Sequence, residues 1–219
     1  MNDAQKAIEK LTQDLQAAQR ELAIQDALER VRSKAQGMQE SSEIKGVSTA
    51  VRDEFVGLGH QIDSVGIYIP DEVAGVFEVW FANPHTLEGT ASGPSGFMRI
   101  DRRVKGVKAM LAGDRFGVQR VDRDGFVGRI RKAHEGLGTP ERDIQSRIAI
   151  IPNTVYGALV NFGSGTLSFI TAEPFNEEEL AVAGRFADVF GGAYTRFKEL
   201  KEKEDQNREL KIQNAIERI

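Results

Sequence analysis

The same helical sequence occurs near both ends of this 219-residue chain. RELAIQDALERV at 20–31 and RELKIQNAIERI at 208–219 are identical at eight of twelve positions and start 188 residues apart. Similar helix composition alone does not produce this many matches in register. We interpret the two segments as duplicated linker helices that flank one module. We also expect the chain to be a piece of a longer protein in which a further domain follows.

The first 36 residues form the longest uninterrupted helical pattern. They contain no Gly or Pro, and their apolar residues recur at alternating spacings of three and four, as in a coiled-coil seam. The seam begins as Ile8, Leu11, Leu15, Ala18 and Leu22, and it resumes in a shifted phase as Ile24, Leu28, Val31, Ala35 and Met38. Such a skip changes the supercoil locally without ending the helix. The pattern therefore predicts a long helix that requires a packing partner.

The next part of the chain combines one helix with two strands. Gly37 and the Ser-Ser-Glu at 41–43 mark a break and a helix restart, and the apolar stripe that follows ends at Gly59. Period-two alternation then predicts strands at 62–69 and 76–83. Because antiparallel strands are joined by short turns, these two strands are expected to pair.

The middle of the chain predicts a loop and a helical cross-connection. Residues 84–98 are rich in Gly, Pro, Ser and Thr, which favours loop. Two amphipathic segments follow at 104–111 and 126–137, and each precedes a glycine. Together they predict helices that cross between two groups of strands.

The last third predicts three strands and a second long helix. The strands are expected at 148–151 and on either side of a Gly-Ser-Gly turn at 163–165. Asn176 and Glu179 match a helix N-cap with its capping box, and apolar residues at spacings of three and four then continue to Leu200. The whole order predicts an α+β fold with an antiparallel-rich sheet and long terminal helices that can lie side by side.

Three stretches resemble the GAF family, in particular the GAF domains of bacterial multidomain sensors that are joined by ALERVR-like helices. They are IQDALERVRSKAQGM at 24–38, the strand pair DSVGIYIPD and FEVWFAN, and YGALVNFGSGTLSFITAEPFNEEELAVAGRFADVFGGAYTRF at 156–197. The resemblance implies a GAF-like central antiparallel sheet with the first and last helices on one face. The cross-connection and a small-molecule pocket would lie on the other face.

The resemblance also implies a domain organisation and partners. We divide the chain into an N-terminal signalling helix at 1–38, a GAF-like sensor domain at 41–197 and a C-terminal linker helix at 198–219. The implied partners are a second copy of the chain, bound through the terminal helices, and a downstream output domain such as a histidine kinase or a cyclase.

Composition argues against several classes of function. The chain has no cysteine, which excludes disulfides, thiolate catalysis, Cys-ligated metals and thioether-linked chromophores. His60, His85 and His134 lack a second ligand at metal spacing, so no metal site is predicted. The net charge of -4 argues against nucleic acid or an anionic membrane as partner.

No nucleophile, base and orienting group form a recognisable set, which predicts a non-catalytic regulatory domain. A charged N-terminus without a long apolar run indicates a cytoplasmic protein.

A basic stretch suggests what a pocket would bind. Residues 99–147 contain 13 Lys/Arg and 7 Asp/Glu, a net charge of +6, whereas the rest of the chain carries -10. Desolvated guanidinium groups select an anionic ligand or an acidic partner, and exposed arginines paired with acidic groups elsewhere are the alternative. The predicted pocket residues are Tyr68, Trp80, Phe97, Arg99, Arg103, Phe126, Arg129 and His134. Core packing is the alternative for the aromatic ones. No cofactor is predicted beyond an unidentified small, anionic molecule.

The sequence thus predicts a sensory and dimerisation module. Ligand or partner binding would shift the packing of the terminal helices and so bias an output domain. The alternative is a ligand-free module that serves only as a structural spacer and assembly element. The predicted dimer contacts are Ile8, Leu11, Leu15, Leu22, Leu28, Val31, Phe190, Phe197 and Leu200.

Overall fold

A computed structural model describes residues 3–82, 97–101, 114–134, 141–149 and 151–216. Its helices are α1 (Asp3–Gln36), α2 (Ile44–Gly57), α3 (Arg123–His134), α4 (Glu141–Ala149) and α5 (Glu177–Ile216), with a 3-10 turn at Ser41–Glu43. Its strands are β1 (Ser64–Asp71), β2 (Val76–Ala82), β3 (Phe97–Asp101), β4 (Phe116–Asp122), β5 (Thr154–Asn161) and β6 (Thr166–Thr171).

The strands form one sheet in the order β3-β2-β1-β6-β5-β4, and every neighbouring pair is antiparallel. The chain's first and last strands, β1 and β6, therefore lie together at the centre, where Ile67 pairs with Leu167. Helices cover both faces: α1, α2 and α5 pack on one, and α3 and α4 on the other. The predicted α+β fold with a central antiparallel sheet is confirmed.

Three element assignments from sequence differ from the structure. β3 and β4 are strands that the alternation did not reveal, and the strand predicted at 148–151 is wrong, because residues 148 and 149 belong to α4. The run IAII begins in the last turn of α4, because Ile144, Ile148 and Ile151 recur at helical spacing and are buried together. The predicted helix at 104–111 lies outside the described residues.

The main core lies between the sheet and the helices α1, α2 and α5. Its fully buried side chains include Val31 of α1, Phe55 of α2, Phe186 of α5 and Phe169 of β6. Complete burial of a side chain of this size stabilises the fold by about 1.5–3 kcal/mol. The second half of α1 is therefore part of the domain core.

Helices α1 and α5 lie side by side and run in the same direction. Glu21 binds Arg185 at 2.7 Å and Arg20 binds Glu178 at 2.8 Å, both at the start of the buried stretch of each helix. From there the buried stretches continue to Ala35 in α1 and Phe197 in α5. Residues 3–19 and 198–213 are exposed, so the two free helical segments project from opposite ends of the domain.

Local sequence signals account for the start of α5 and the preceding turn. The Asn176 side chain accepts a hydrogen bond from the Glu179 amide at 2.9 Å, and the Glu179 side chain accepts one from the Asn176 amide at 2.8 Å, which confirms the predicted capping box. Gly163 has φ +87°, and a Cβ at Gly165 would lie 2.3 Å from the Tyr68 carbonyl oxygen. Only glycine fits this hairpin turn.

No helix in the part of the chain that the structure describes is both long and apolar enough to cross a membrane.

Candidate functional site

The sheet separates the predicted pocket residues onto two faces. Ile67 pairs with Trp80, and Trp80 with Phe97, so all three share the face that packs against α1, α2 and α5. Tyr68 pairs with Val79 on the opposite face, which we call the second face. Register, and not proximity in sequence, decides which side chains meet.

Trp80, Phe97 and Arg99 do not line a second-face pocket, so this part of the prediction is wrong. The Trp80 and Phe97 rings pack against each other at 5.2 Å in the main core. Arg99 is half-exposed on β3, where it binds Glu78 of β2 at 2.7 Å. The alternative readings, core packing and ordinary charge pairing, hold for these residues.

The second face carries a strip of polar groups across its centre, formed by Tyr68, Ser168, Gln119 and Arg129. Tyr68 hydrogen-bonds Ser168, which is 3% exposed. Arg129 of α3 donates to the Gln119 side-chain oxygen of β4 at 3.0 Å. Burial raises the pKa of Tyr68 to about 12, although the Arg129 charge and the Ser168 hydrogen bond oppose this shift. The phenol therefore stays neutral and serves as a donor or acceptor.

Two apolar clusters border this polar strip. On one side, Phe77, Val79 and Ile100 pack together, and the Tyr68 ring meets Phe77 edge-on at 6.3 Å. On the other side, α3 and α4 cover β5 with a second cluster that includes Val155 and Phe126. Gly66 and Gly157 face the same side as Tyr68, and the Tyr68 ring and the Gln119 side chain lie over them. Apolar walls around a few convergent polar groups are typical of small-molecule sites.

Phe126 and Arg129 thus lie on the second face as predicted, and they join Tyr68 around the polar strip. Phe126 packs in the α3–α4 cluster. The side chain of His134, at the end of α3, and the whole of Arg103 lie outside the described residues. Ser168 and Gln119 were missed, although both occupy alternating positions of strands.

Comparison with known proteins identifies the fold. No family model matches the chain, and no curated protein matches it. Among solved structures, the GAF domain of a phosphoenolpyruvate-protein phosphotransferase from Coxiella burnetii has a TM-score of 0.51 at 13% identity, covering 83% of this chain and 98% of that one. The A. aeolicus nlh2 GAF domain matches at TM-score 0.46 and 10% identity, covering 83% and 99%.

This chain has a GAF fold.

Four of the predicted dimer contacts are already buried within this GAF-fold domain. Leu28, Val31, Phe190 and Phe197 belong to the core that α1 and α5 form with α2 and the sheet. Their spacing of three and four reflects packing against the protomer's own domain.

The other predicted dimer contacts are exposed. Leu11 and Leu15 of α1 are 68% and 59% exposed, and Ile8, Leu22 and Leu200 are exposed to a similar degree. At about 100° per residue, the Ile8–Leu22 seam lies roughly half a turn from the stripe that α1 buries against the domain. The phase shift in the sequence therefore marks the point where α1 changes from a free helix to a packed one.

A network around His60 joins both long helices to the end of α2. Arg20 of α1 donates to His60 Nε2 at 3.0 Å, to the Leu58 carbonyl and to Glu178 of α5. His60 Nδ1 lies 3.5 Å from Glu179 of α5. Because arginine only donates, Nε2 must accept and the imidazole must be neutral. Burial, reinforced by the Arg20 charge, lowers the pKa of His60, against the opposing charges of Glu178 and Glu179.

A metal site and a groove beside α1 are two alternatives to the polar strip. The described residues contain no group of three His, Asp or Glu side chains that could hold a metal ion. A groove of about 450 Å³ between the end of α1 and the start of α2 is lined by Arg30, Lys34 and Glu43, among others. It is open to solvent, and Arg30 is already paired with Glu54 at 2.6 Å.

Proposed function

We propose that this GAF domain is a sensory and dimerisation module, in which occupancy of the second face changes the packing of α1 and α5. The observation that carries this proposal is that one sheet bears the polar strip on one face and both long helices on the other. A ligand or partner bound at the strip would favour one of two packings of α1 and α5. The change in the free-energy difference between the packings equals the difference in the ligand's binding free energy for them.

A short chain of contacts supports communication between the faces. Ser168 and Phe169 are neighbours in β6 but point to opposite faces. The Phe169 ring lies 5.0 Å from Phe55 of α2, which lies 6.2 Å from Phe186 of α5 and 4.6 Å from His60. Close-packed rings transmit small displacements because they leave no void to absorb them. A shift of Ser168 would therefore reach α5 and the His60 network.

The chemistry of the polar strip favours a small anionic ligand. Arg129 is half-buried, its recorded partner in the strip is the neutral Gln119, and Tyr68 remains protonated. A guanidinium and a phenol together can bind a carboxylate or a phosphate through charge-assisted hydrogen bonds.

The exposed seam of α1 supports dimerisation. A row of leucine and isoleucine side chains on a projecting helix is stabilised when a second such helix covers it. We propose a homodimer through these helices, cytoplasmic and non-catalytic, that controls an output domain such as a histidine kinase or a cyclase.

Two measurements test this function. Light scattering at micromolar concentration is expected to give the mass of a dimer, and a monomer would contradict the assembly. A thermal-shift screen of nucleotides, carboxylates and phosphorylated metabolites is expected to raise the melting temperature for at least one class, because a ligand that binds only the folded state stabilises it. Arg129→Met should abolish that shift.

A second candidate function is a ligand-free spacer. It is favoured by the hydrogen bonds within the polar strip, since Tyr68 bonds Ser168 and Arg129 bonds Gln119 without any ligand. A dimer that shows no thermal shift across the whole screen would favour this alternative.

A further inference from the structure

The repeated segment 208–219 retains the apolar residues by which 20–31 packs on its own domain. Four positions of the first copy are buried, and all four remain apolar in the second copy. The corresponding pairs are Ile24 and Ile212, Ala27 and Ala215, Leu28 and Ile216, and Val31 and Ile219. The small, fully buried residue in the middle is alanine in both copies.

The ion-pairing residues are also retained. In the first copy, Arg20 binds Glu178, Glu21 binds Arg185, and Arg30 binds Glu54. The second copy has Arg208, Glu209 and Arg218 at the corresponding positions. These pairs connect the first copy to α5 and α2, on both sides of its apolar stripe.

The remaining differences fall where the first copy does not touch the domain. Ala23 and Asp26 are exposed, and the second copy replaces them with Lys211 and Asn214. The buried positions stay apolar even where the residue changes, and the three arginine and glutamate side chains that pair with α2 and α5 are identical. The retained property is therefore the ability to dock.

In this structure the described part of the second copy is exposed. Leu210 and Ile212 are 56% and 54% exposed, on the segment of α5 that projects beyond the domain. The groove that would accept them is occupied by α1 of the same chain, so another copy of this chain offers no vacant groove.

We infer that 208–219 is a docking helix for a second GAF-fold domain, in which it takes the place that 20–31 takes here. The partner domain presents an apolar groove between its second and last helices. This groove is bordered by carboxylates at the positions of Glu54 and Glu178 and by a guanidinium at the position of Arg185. Helix α5 is then shared, as the last helix of one domain and the first of the next. The two domains are spaced by about 40 Å along it.

The first test transplants the second copy into the known groove. The variant Ala23→Lys/Asp26→Asn/Leu28→Ile/Val31→Ile gives 20–31 the sequence of 208–219 in the full chain. A control with the same composition exchanges two buried residues, so that position 27 becomes Ile and position 28 becomes Ala. The transplant should fold and melt at least roughly 10 °C above the control, because the control both overfills and empties the groove. A transplant that does not fold, or melts no higher than the control, overturns the inference.

The second test measures whether 208–219 can serve as the first helix of an added domain. Since Ile219 corresponds to Val31, residues 32–219 can be fused after Ile219 in helical register. Calorimetry should give about twice the unfolding enthalpy of the single chain, because enthalpy scales with the number of folded residues. The substitutions Ile212→Asp/Ile216→Asp in the fusion should lower the unfolding enthalpy to about that of the single chain.

Other results of this second test overturn the inference. A control fusion carries the sequence of 20–31 at 208–219. If this control unfolds with the enthalpy of two domains and the native fusion with that of one, the inference is wrong. If neither fusion folds two domains, the transplant result decides. Growth of the unfused chain into long oligomers with rising concentration would instead identify exchange between copies, and would also overturn it.

Discussion

A guanidinium nitrogen of Arg20 lies 3.0 Å from Nε2 of His60, which joins helix α1 to the segment that follows α2. This contact requires a neutral imidazole, since a protonated ring would direct an N–H at the arginine. The charged groups around the ring are Arg20 from α1 and Glu178 and Glu179 from α5. The contact between the two long helices therefore contains a titratable group.

Stability should fall on mild acidification because of His60. Its pKa is lowered in the fold, so the stabilisation is complete above the unfolded value of about 6.5 and is lost as the pH falls below it. We expect the parent chain to melt several degrees lower at about pH 5.5 than at about pH 7.5. His60→Gln keeps an oxygen acceptor for Arg20 and should show a smaller pH difference. Equal pH dependence in both proteins would assign the effect to other groups.

The dimer seam predicts a selective disruption. Leu11→Asp/Leu15→Asp places two charges within the exposed stripe of α1, and light scattering should show a monomer that retains its circular dichroism. The matched control is Gln13→Asp/Gln16→Asp, which adds the same charge to the opposite side of the helix and should remain dimeric. Dissociation of both variants would indicate a general charge effect.

Two adjacent glycines of α5 should respond in opposite ways. A Cβ at Gly191 would lie 2.8 Å from Phe162 Cβ and 3.1 Å from its carbonyl oxygen, whereas a Cβ at Gly192 meets nothing within 4 Å. Gly191→Ala should therefore destabilise the domain by about 1–3 kcal/mol, as overpacking does. Gly192→Ala should stabilise it by up to about 1 kcal/mol through helix propensity. Urea unfolding measures both, and a neutral Gly191→Ala would mean that α5 can move away from the hairpin.

The polar strip predicts a specific cost for removing one hydroxyl. Tyr68→Phe keeps the edge-on contact with Phe77 but leaves the buried Ser168 without this partner. We expect a loss of about 1 kcal/mol in unfolding free energy. Val73→Ala, at a fully exposed turn position, serves as a neutral comparison. If Tyr68→Phe is also neutral, water replaces the phenol and the strip is open to solvent.

Sequence periodicity predicted the elements with strong patterns and missed those without one. The paired central strands and the capping box at Asn176 carry clear local signals. Strand β4 does not, because its second-face side consists of Gly117, Gln119 and Val121, and its apolar Phe116 and Val118 are exposed. An edge strand with this composition has little alternation to detect.

The candidate site could be predicted only in part. Tyr68 and Trp80 lie in adjacent strands, but the β1–β2 register puts Tyr68 opposite Val79 and so places the two rings on different faces. A shift of one residue would have reversed this, and the register depends on the turn between the strands and on which apolar side faces the core. The Arg20–His60 contact spans 40 residues and depends on how α1 meets α2, which no short-range pattern encodes.

Because α1 and α5 run in the same direction and project from opposite ends, the chain enters the domain at one end and leaves it at the other. The incoming helix α1 and the outgoing helix α5 lie side by side and point in the same direction. A single residue inserted into 198–207 would rotate whatever follows by about 100° around the axis of α5, whereas seven inserted residues would nearly restore the original orientation.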